Sequence, residues 1–244
     1  MIRSAVILAA GMGTRLRTVL KNIPKGFLEI SGKTLIEQSI TRLLNAGIEN
    51  IIIVTGHLSH YYDELARSHN YIRTVHNDIY ADSGSMYSFY LARHYIREEF
   101  FLLESDLIYE QRALSSLLSC SQKDTVLLSG STGSGDEVYA ETSGNRLINL
   151  SKDKYRLKSI GGELVGISKF SLPLYMEMVK ISEIMFSESL EVEYEQCVVE
   201  TARKYPVYVK KVEDLIWAEI DDENHLDRVK RIIAPRIENI ESPG

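Results

Sequence analysis

Apolar residues fall along this chain in two alternating rhythms, unbroken runs and runs with helical spacing. Residues 5–10 (AVILAA) form an unbroken run, the mark of a strand covered on both faces, which stops at Gly11. Helical spacing follows. Ile36, Ile40, Leu43 and Leu44 share a face that a Thr34–Glu37 capping box opens and Gly47 closes. Asn50–Thr55 (NIIIVT) is a second β-branched run, so strand, helix and strand stand in the order of a parallel pair joined by a right-handed crossover. The pattern then predicts a helix over 61–68, an extended segment over 71–75, and a small-residue break at Ser83, Gly84 and Ser85 before a helix starting near Met86. Residues 100–106 (FFLLESD) and Thr125–Ser129 read as strands, 139–141 and 147–150 as a hairpin across Ser143, Gly144 and Asn145, and 163–168 as a return to the sheet. Helices over Leu172–Phe186 and 193–205, a strand over 207–212 and a short acid-ended strand over 217–222 complete the pattern. Asp222 caps a last helix whose apolar face is Leu226, Val229 and Ile233. These elements predict a three-layer α/β/α fold around a mixed, mostly parallel sheet.

A chain of 244 residues suits one large domain, 1–244, with a small substrate lobe at roughly 130–165 and 187–220. The net charge of −6, with no basic tail or cluster, excludes a nucleic-acid surface, so a phosphate ligand has to be met by a few local cations and by metal. Cys120 and Cys197 lack a partner motif and read as free thiols of a reducing compartment, and the six histidines show no metal-ligand spacing. The first apolar run is too short for a signal-peptide core, which predicts a cytoplasmic protein without a membrane span.

Candidate chemistry starts where the first strand ends. Gly11-Met12-Gly13-Thr14-Arg15 is a loop whose glycines let bare N–H groups approach an anion. Arg15 adds a planar, fixed charge, and Lys25 adds a second cation on a segment stiffened by Pro24. A dinucleotide fingerprint needs glycine where Leu16 stands, and the P-loop pattern is absent. A glycine turn alone closes many strands; the two added cations point to a polyphosphate.

G-x-G-T-R-L followed by Pro24-Lys25 resembles the signature of the nucleotidyltransferases that activate sugar phosphates and small phospho-alcohols. PKGFLEI, LLESDLIYE, SGDEVY, GELVGI, EYEQ and W-x-E-I-D narrow the resemblance to the 2-aminoethylphosphonate cytidylyltransferases over nearly the whole chain. It implies a Rossmann-like nucleotidyltransferase (GT-A-like) fold and transfer of CMP from CTP to 2-aminoethylphosphonate with release of pyrophosphate. It further implies that Leu8, Ala10, Gly11, Gly13 and Thr14 line the nucleotide, that Ser83, Gly84 and Ser85 read the pyrimidine, and that Asp106 and Asp221 hold Mg²⁺. Phosphocholine enzymes tend to carry paired asparagines where this chain has Gly84-Ser85.

For the acceptor, Asp136, Glu163, Glu193, Tyr194, Glu195, Trp217 and Glu219 offer acids and aromatics suited to a small amine-bearing phosphonate or phosphate. Lys152 is the candidate for its anionic end. The acceptor oxygen is already an anion, so in-line attack needs no general base; Lys25 would stabilise the α-phosphoryl group and Arg15 the departing pyrophosphate. Phosphocholine transfer, inositol or hexose 1-phosphate activation, and a nucleotide-binding regulatory subunit are the competing readings. A homodimer stands open as the assembly.

Overall fold

The unbroken apolar runs become the middle of one mixed sheet. In this computed structural model, which describes residues 2–20 and 22–241, β1 (Ser4–Ala9) pairs in parallel with β2 (Asn50–Thr55), and β2 in turn with β3 (Ile72–His76). The connections run through α1 (Leu35–Asn45) and α2 (His60–Ser68). After α3 (Ser85–Leu91), β4 (Phe100–Glu104) returns to the other side of β1, also parallel. The register matches Ser4 to both Asn50 and Phe100, so β1, β2 and β4 all finish at one edge, where open α/β sheets bind ligands.

The chain goes on through β5 (Leu107–Tyr109), α4 (Arg112–Leu118), β6 (Thr125–Ser129), the hairpin of β7 (Tyr139–Ser143) and β8 (Arg146–Ser151), and β9 (Gly162–Phe170). Next come α5 (Leu172–Phe186), α6 (Tyr194–Ala202), β10 (Tyr208–Val212), β11 (Trp217–Glu219), α7 (Glu223–Arg228) and α8 (Ala234–Glu241). The nine-stranded order is β3-β2-β1-β4-β9-β6-β10-β8-β7. β9 runs antiparallel to β4 and β6, while β10 is parallel to β6. β7 also pairs back onto Gly162 and Glu163 of β9, which curls the second half of the sheet closed.

Strand alternation builds the layers. Val6 and Leu8 face one core with Phe89, Phe100, Tyr175 and Met178, whereas Ala5, Ile7 and Ala9 face another with Ile36, Ile40, Leu43 and Leu114. A third cluster joins Leu16, Leu20 and Leu28 to Ile216, Ile220, Leu226, Val229 and Ile233 beneath a separate two-stranded sheet of β5 and β11.

Most expected elements form with small changes of length, and the Thr34–Glu37 capping box and the Asp222 cap are both present. Leu44 is a correction. It is 39% exposed because eight residues after Ile36 it sits roughly 80° round the helix, at the margin of the apolar stripe. The fourth strand stops at Glu104, leaving Ser105 and Asp106 in a turn, and α6 ends at Ala202. Cys120 and Cys197 are free thiols.

Gly84 ties two halves of this architecture together. Its N–H donates to the Leu190 carbonyl at 2.8 Å, and a Cβ there would stand 2.3 Å from the Val192 oxygen and 2.6 Å from its carbon. Backbone meeting backbone leaves little room to relax. Gly84→Ala is expected to lower the melting temperature by roughly 2–10 °C, from an overpacking cost of about 1–3 kcal/mol. An unchanged melting curve would show that the 190–193 segment moves away freely.

Candidate active site

A cavity of about 400 Å³ opens over the ends of β1 and β4, walled by residues from both halves of the chain. Its floor is the turn after β1. Gly13 has φ of +59°, and a Cβ there would lie 2.8 Å from Leu20 Cδ1 and 3.1 Å from Lys25 Cγ, so only glycine allows the turn to pack onto the lysine stem. Arg15 follows in a tight turn closed by the Leu16 N–H on the Gly13 carbonyl. Pro24, extended with ψ of 155°, delivers Lys25 to the start of a second such turn.

The acids arrive by strand pairing. β5 and β11 are antiparallel with Leu107 opposite Glu219, and the Ile220 N–H donates to the Asp106 carbonyl at 3.1 Å. That pairing brings residues 106 and 221 side by side. Lys25 Nζ donates to Asp106 Oδ2 at 2.9 Å and to Asp221 Oδ1 at 2.5 Å. Arg15 reaches the same Asp221 oxygen at 2.9 Å and Asp136 Oδ2 at 3.0 Å, and Lys152 holds Asp136 Oδ1 at 2.8 Å. A continuous chain of ion pairs therefore runs Lys152, Asp136, Arg15, Asp221, Lys25, Asp106.

Electrostatics in this pocket are uneven. Burial works against the Lys25 charge, but Asp106 and Asp221 outweigh it and raise its pKa, so the ammonium is held protonated. Burial likewise opposes the Asp221 carboxylate, and Lys25 and Arg15 overcome it and hold that group well below the usual range. Glu219 and Glu104 go the other way. Burial pushes both up, assisted at Glu219 by the charges of Asp106 and Glu104, and at Glu104 by Glu195 and Asp106. Burial also raises Glu195. Carboxylate oxygens of Glu104, Asp106 and Glu219 come within 4.8 Å of one another, a hard oxygen-donor set that suits Mg²⁺.

Most sequence-derived candidates gather here. Leu8, Ala10, Gly11, Gly13, Arg15, Lys25, Ser83, Gly84, Ser85, Asp106, Lys152, Glu193, Tyr194, Glu219 and Asp221 all line the cavity. Thr14 does not; it is exposed at the start of its turn. The amides at the start of α3 are committed. Gly84 and Met86 donate to the Leu190 and Val192 carbonyls, and Ser85 donates from both N–H and Oγ to Glu193 Oε2, at 3.1 and 2.5 Å.

Other candidates are displaced. Glu163 is a correction: it is 3% exposed, and its carboxylate accepts the Thr132 N–H at 2.8 Å, so it holds the 130–137 loop instead of meeting a ligand. Asp136 is already shared between Arg15 and Lys152. Trp217 lines a neighbouring hollow of about 80 Å³, which shares Glu104, Lys152, Glu195 and Glu219 with the larger one.

Sequence reasoning gave no role to Glu104, Tyr62, Tyr80 or His225. Glu104 was within reach of it, since two-residue alternation turns Glu104 and Asp106 to one side. The Tyr194 hydroxyl donates to Glu104 Oε1 at 2.6 Å. His225 accepts the Asp221 N–H at Nδ1 and so donates from Nε2 to the Ser134 carbonyl at 3.2 Å, an arrangement invisible without the fold. Another hollow, of about 910 Å³, lies at the opposite sheet edge against Ser4, Asn50 and Ile72, away from Asp106 and Asp221.

The chain is similar to several known proteins. The choline-phosphate cytidylyltransferase of Streptococcus pneumoniae is 27% identical over 237 residues, covering 94% of this chain and 97% of that protein. The 2-aminoethylphosphonate cytidylyltransferase of Lancefieldella rimae is 28% identical over 191 residues, 76% of this chain and 74% of that one. The inositol-1-phosphate CTP transferase structure from T. maritima superposes with a TM-score of 0.84 at 22% identity, covering 99% of this chain and 98% of that one, which shows the fold. Residues 5–167 match the MobA-like NTP transferase domain. That match takes in well over half of the sequence, and the chain belongs to the MobA-like NTP transferase family.

Proposed function

We propose that the protein is a cytidylyltransferase that moves CMP from CTP onto 2-aminoethylphosphonate and releases pyrophosphate. The observation that carries this reading is the meeting of cations and carboxylates in one cavity. Arg15 and Lys25 stand at the β1 turn, Glu104 and Glu219 converge with Asp106 beside them, and Glu193, Tyr194 and Glu195 line the same cavity. The cations fit a triphosphate; the acids and Tyr194 fit the ammonium of a small acceptor, where a hexose would want neutral donors. Similarity to cytidylyltransferases supports CTP as the donor. Phosphocholine is the second reading, supported by the pneumococcal relative that matches nearly the whole chain.

Catalysis on this reading is positioning and charge neutralisation. An anionic oxygen of the acceptor attacks the α-phosphorus in line, the new P–O bond forms, the bond to the β-phosphate oxygen breaks, and pyrophosphate leaves with the electron pair. Lys25, kept protonated by its two carboxylates, would stabilise the α-phosphoryl oxygens, and Arg15 the leaving group. Lys152 would orient the acceptor's anionic end. Asp106, on which Glu104 and Glu219 converge, would hold Mg²⁺ together with Asp221, and the ion would supply further neutralisation of the triphosphate when bound.

A pyrophosphate-release panel crossing the four nucleoside triphosphates with aminoethylphosphonate, phosphocholine, phosphoethanolamine, inositol 1-phosphate and glucose 1-phosphate tests the assignment. The expected result is turnover with CTP and aminoethylphosphonate above all other pairs; turnover only with a sugar or inositol phosphate would overturn it. Lys25→Ala should lower turnover at least ~10²–10³-fold with an unchanged circular dichroism spectrum, and near-normal rates would remove Lys25 from the mechanism.

Glu219 supplies a pH test of the site. Its folded pKa lies above the unfolded value of 4.5, so its contribution to stability is complete below about that pH and is lost as pH rises. In chelator, Glu219→Gln should therefore melt higher than wild type at neutral and alkaline pH, with the gap closing as pH falls toward 4.5. A gap that does not depend on pH would contradict the assigned shift.

A further inference from the structure

The ion-pair chain ends on a loop that has no place in the transfer chemistry, and the loop is built unevenly. Its base is fixed. Arg228 donates to the Thr132 carbonyl at 2.9 Å, and Glu163 accepts the Thr132 N–H. Its tip is different. His225 donates to the Ser134 carbonyl and the Glu137 carboxylate accepts backbone N–H groups of the tip itself, but Gly133 and Gly135 on either side of Ser134 both have positive φ, +63° and +96°, and a Cβ at either would meet nothing within 4 Å. The Asp136 carboxylate carries the tip's ion pairs, one oxygen on Arg15 and the other on Lys152. Both cations are more than half exposed, at 54% and 61% of their side chains, so each bond is weak and easily exchanged.

We propose that Asp136 is a stand-in for the nucleotide's phosphates: it occupies Arg15 and Lys152 while the cavity is free of ligand, and a triphosphate arriving on Arg15 displaces it and releases the loop tip. This rests on the reading of Arg15 as a triphosphate ligand. A triphosphate carries several negative charges against one on Asp136, so Arg15 changes partners toward the nucleotide. Lys152 then loses the geometry that fixed it to Asp136 and becomes free for the acceptor's anionic end. Asp136 acts here as a positioning residue. Nucleotide occupancy thereby prepares the acceptor side of the cavity before the acceptor arrives.

The chain holds one tryptophan, Trp217, and it lines the small hollow beneath this loop together with Asp136, so its fluorescence follows the tip directly. Hydrogen exchange of the 133–138 segment gives a second readout. Adding CTP and magnesium without acceptor should change Trp217 fluorescence and raise exchange at 133–138 in the wild type. Asp136→Asn should exchange fast at 133–138 without nucleotide, show little further change on adding CTP, and bind CTP about two- to five-fold more tightly, because Arg15 then has only the Asp221 carboxylate to leave and not Asp136 as well. CTP binding that depends on Arg15 but leaves 133–138 exchange unchanged would overturn the stand-in role alone. So would weaker CTP binding by Asp136→Asn. No CTP binding by the wild type would overturn the functional reading and this role with it.

Discussion

One ammonium group shared by two carboxylates holds the site together. Lys25, Asp106 and Asp221 come from three distant parts of the sequence, and the lysine nitrogen sits within 2.9 Å of one acid and 2.5 Å of the other. Without it, two carboxylates would face each other at the bottom of a half-enclosed cavity, where an unpaired buried charge is unfavourable by several kcal/mol. The fold serves that meeting point. Parallel pairing of β1 and β4 puts the glycine turn beside Asp106, and the short β5–β11 pairing sets Asp221 next to both.

Around this pair the pocket carries more negative charge than its cations balance. Glu104, Glu195 and Glu219 are pushed above the ordinary carboxylate range by burial and by neighbouring carboxylates. Such perturbed groups cluster where a protein gives up stability for binding. A divalent ion or an ammonium among these groups would favour their ionised forms. The same logic explains Asp136, which neutralises Arg15 and Lys152 from the opposite sign.

Most of the architecture was legible in the sequence because its signals are local. Continuous apolar runs, the Thr34–Glu37 box and the glycines after β1 each act within a few residues, and all formed as expected. Residues such as Arg15, Lys25, Asp106 and Asp221 could be named from the motif, and the structure brings them into contact. Long-range satisfaction was out of reach. Glu163 looked like a ligand group until its partner proved to be the Thr132 N–H, and nothing local to Ser83, Gly84 and Ser85 signals that the start of α3 bonds to the carbonyls of Leu190 and Val192. Leu44 shows the same limit on a helix, where position at the edge of a stripe leaves burial to whatever packs beside it.

On the proposed function, the Gly11–Arg15 turn and Lys25 cradle a nucleoside triphosphate. A crystal structure of the protein with CTP and magnesium decides this. The triphosphate should lie along that turn, with Lys25 drawn onto the α-phosphate and the ion against Asp106. A nucleotide bound elsewhere, with Lys25 still locked between Asp106 and Asp221, would overturn that role for the turn.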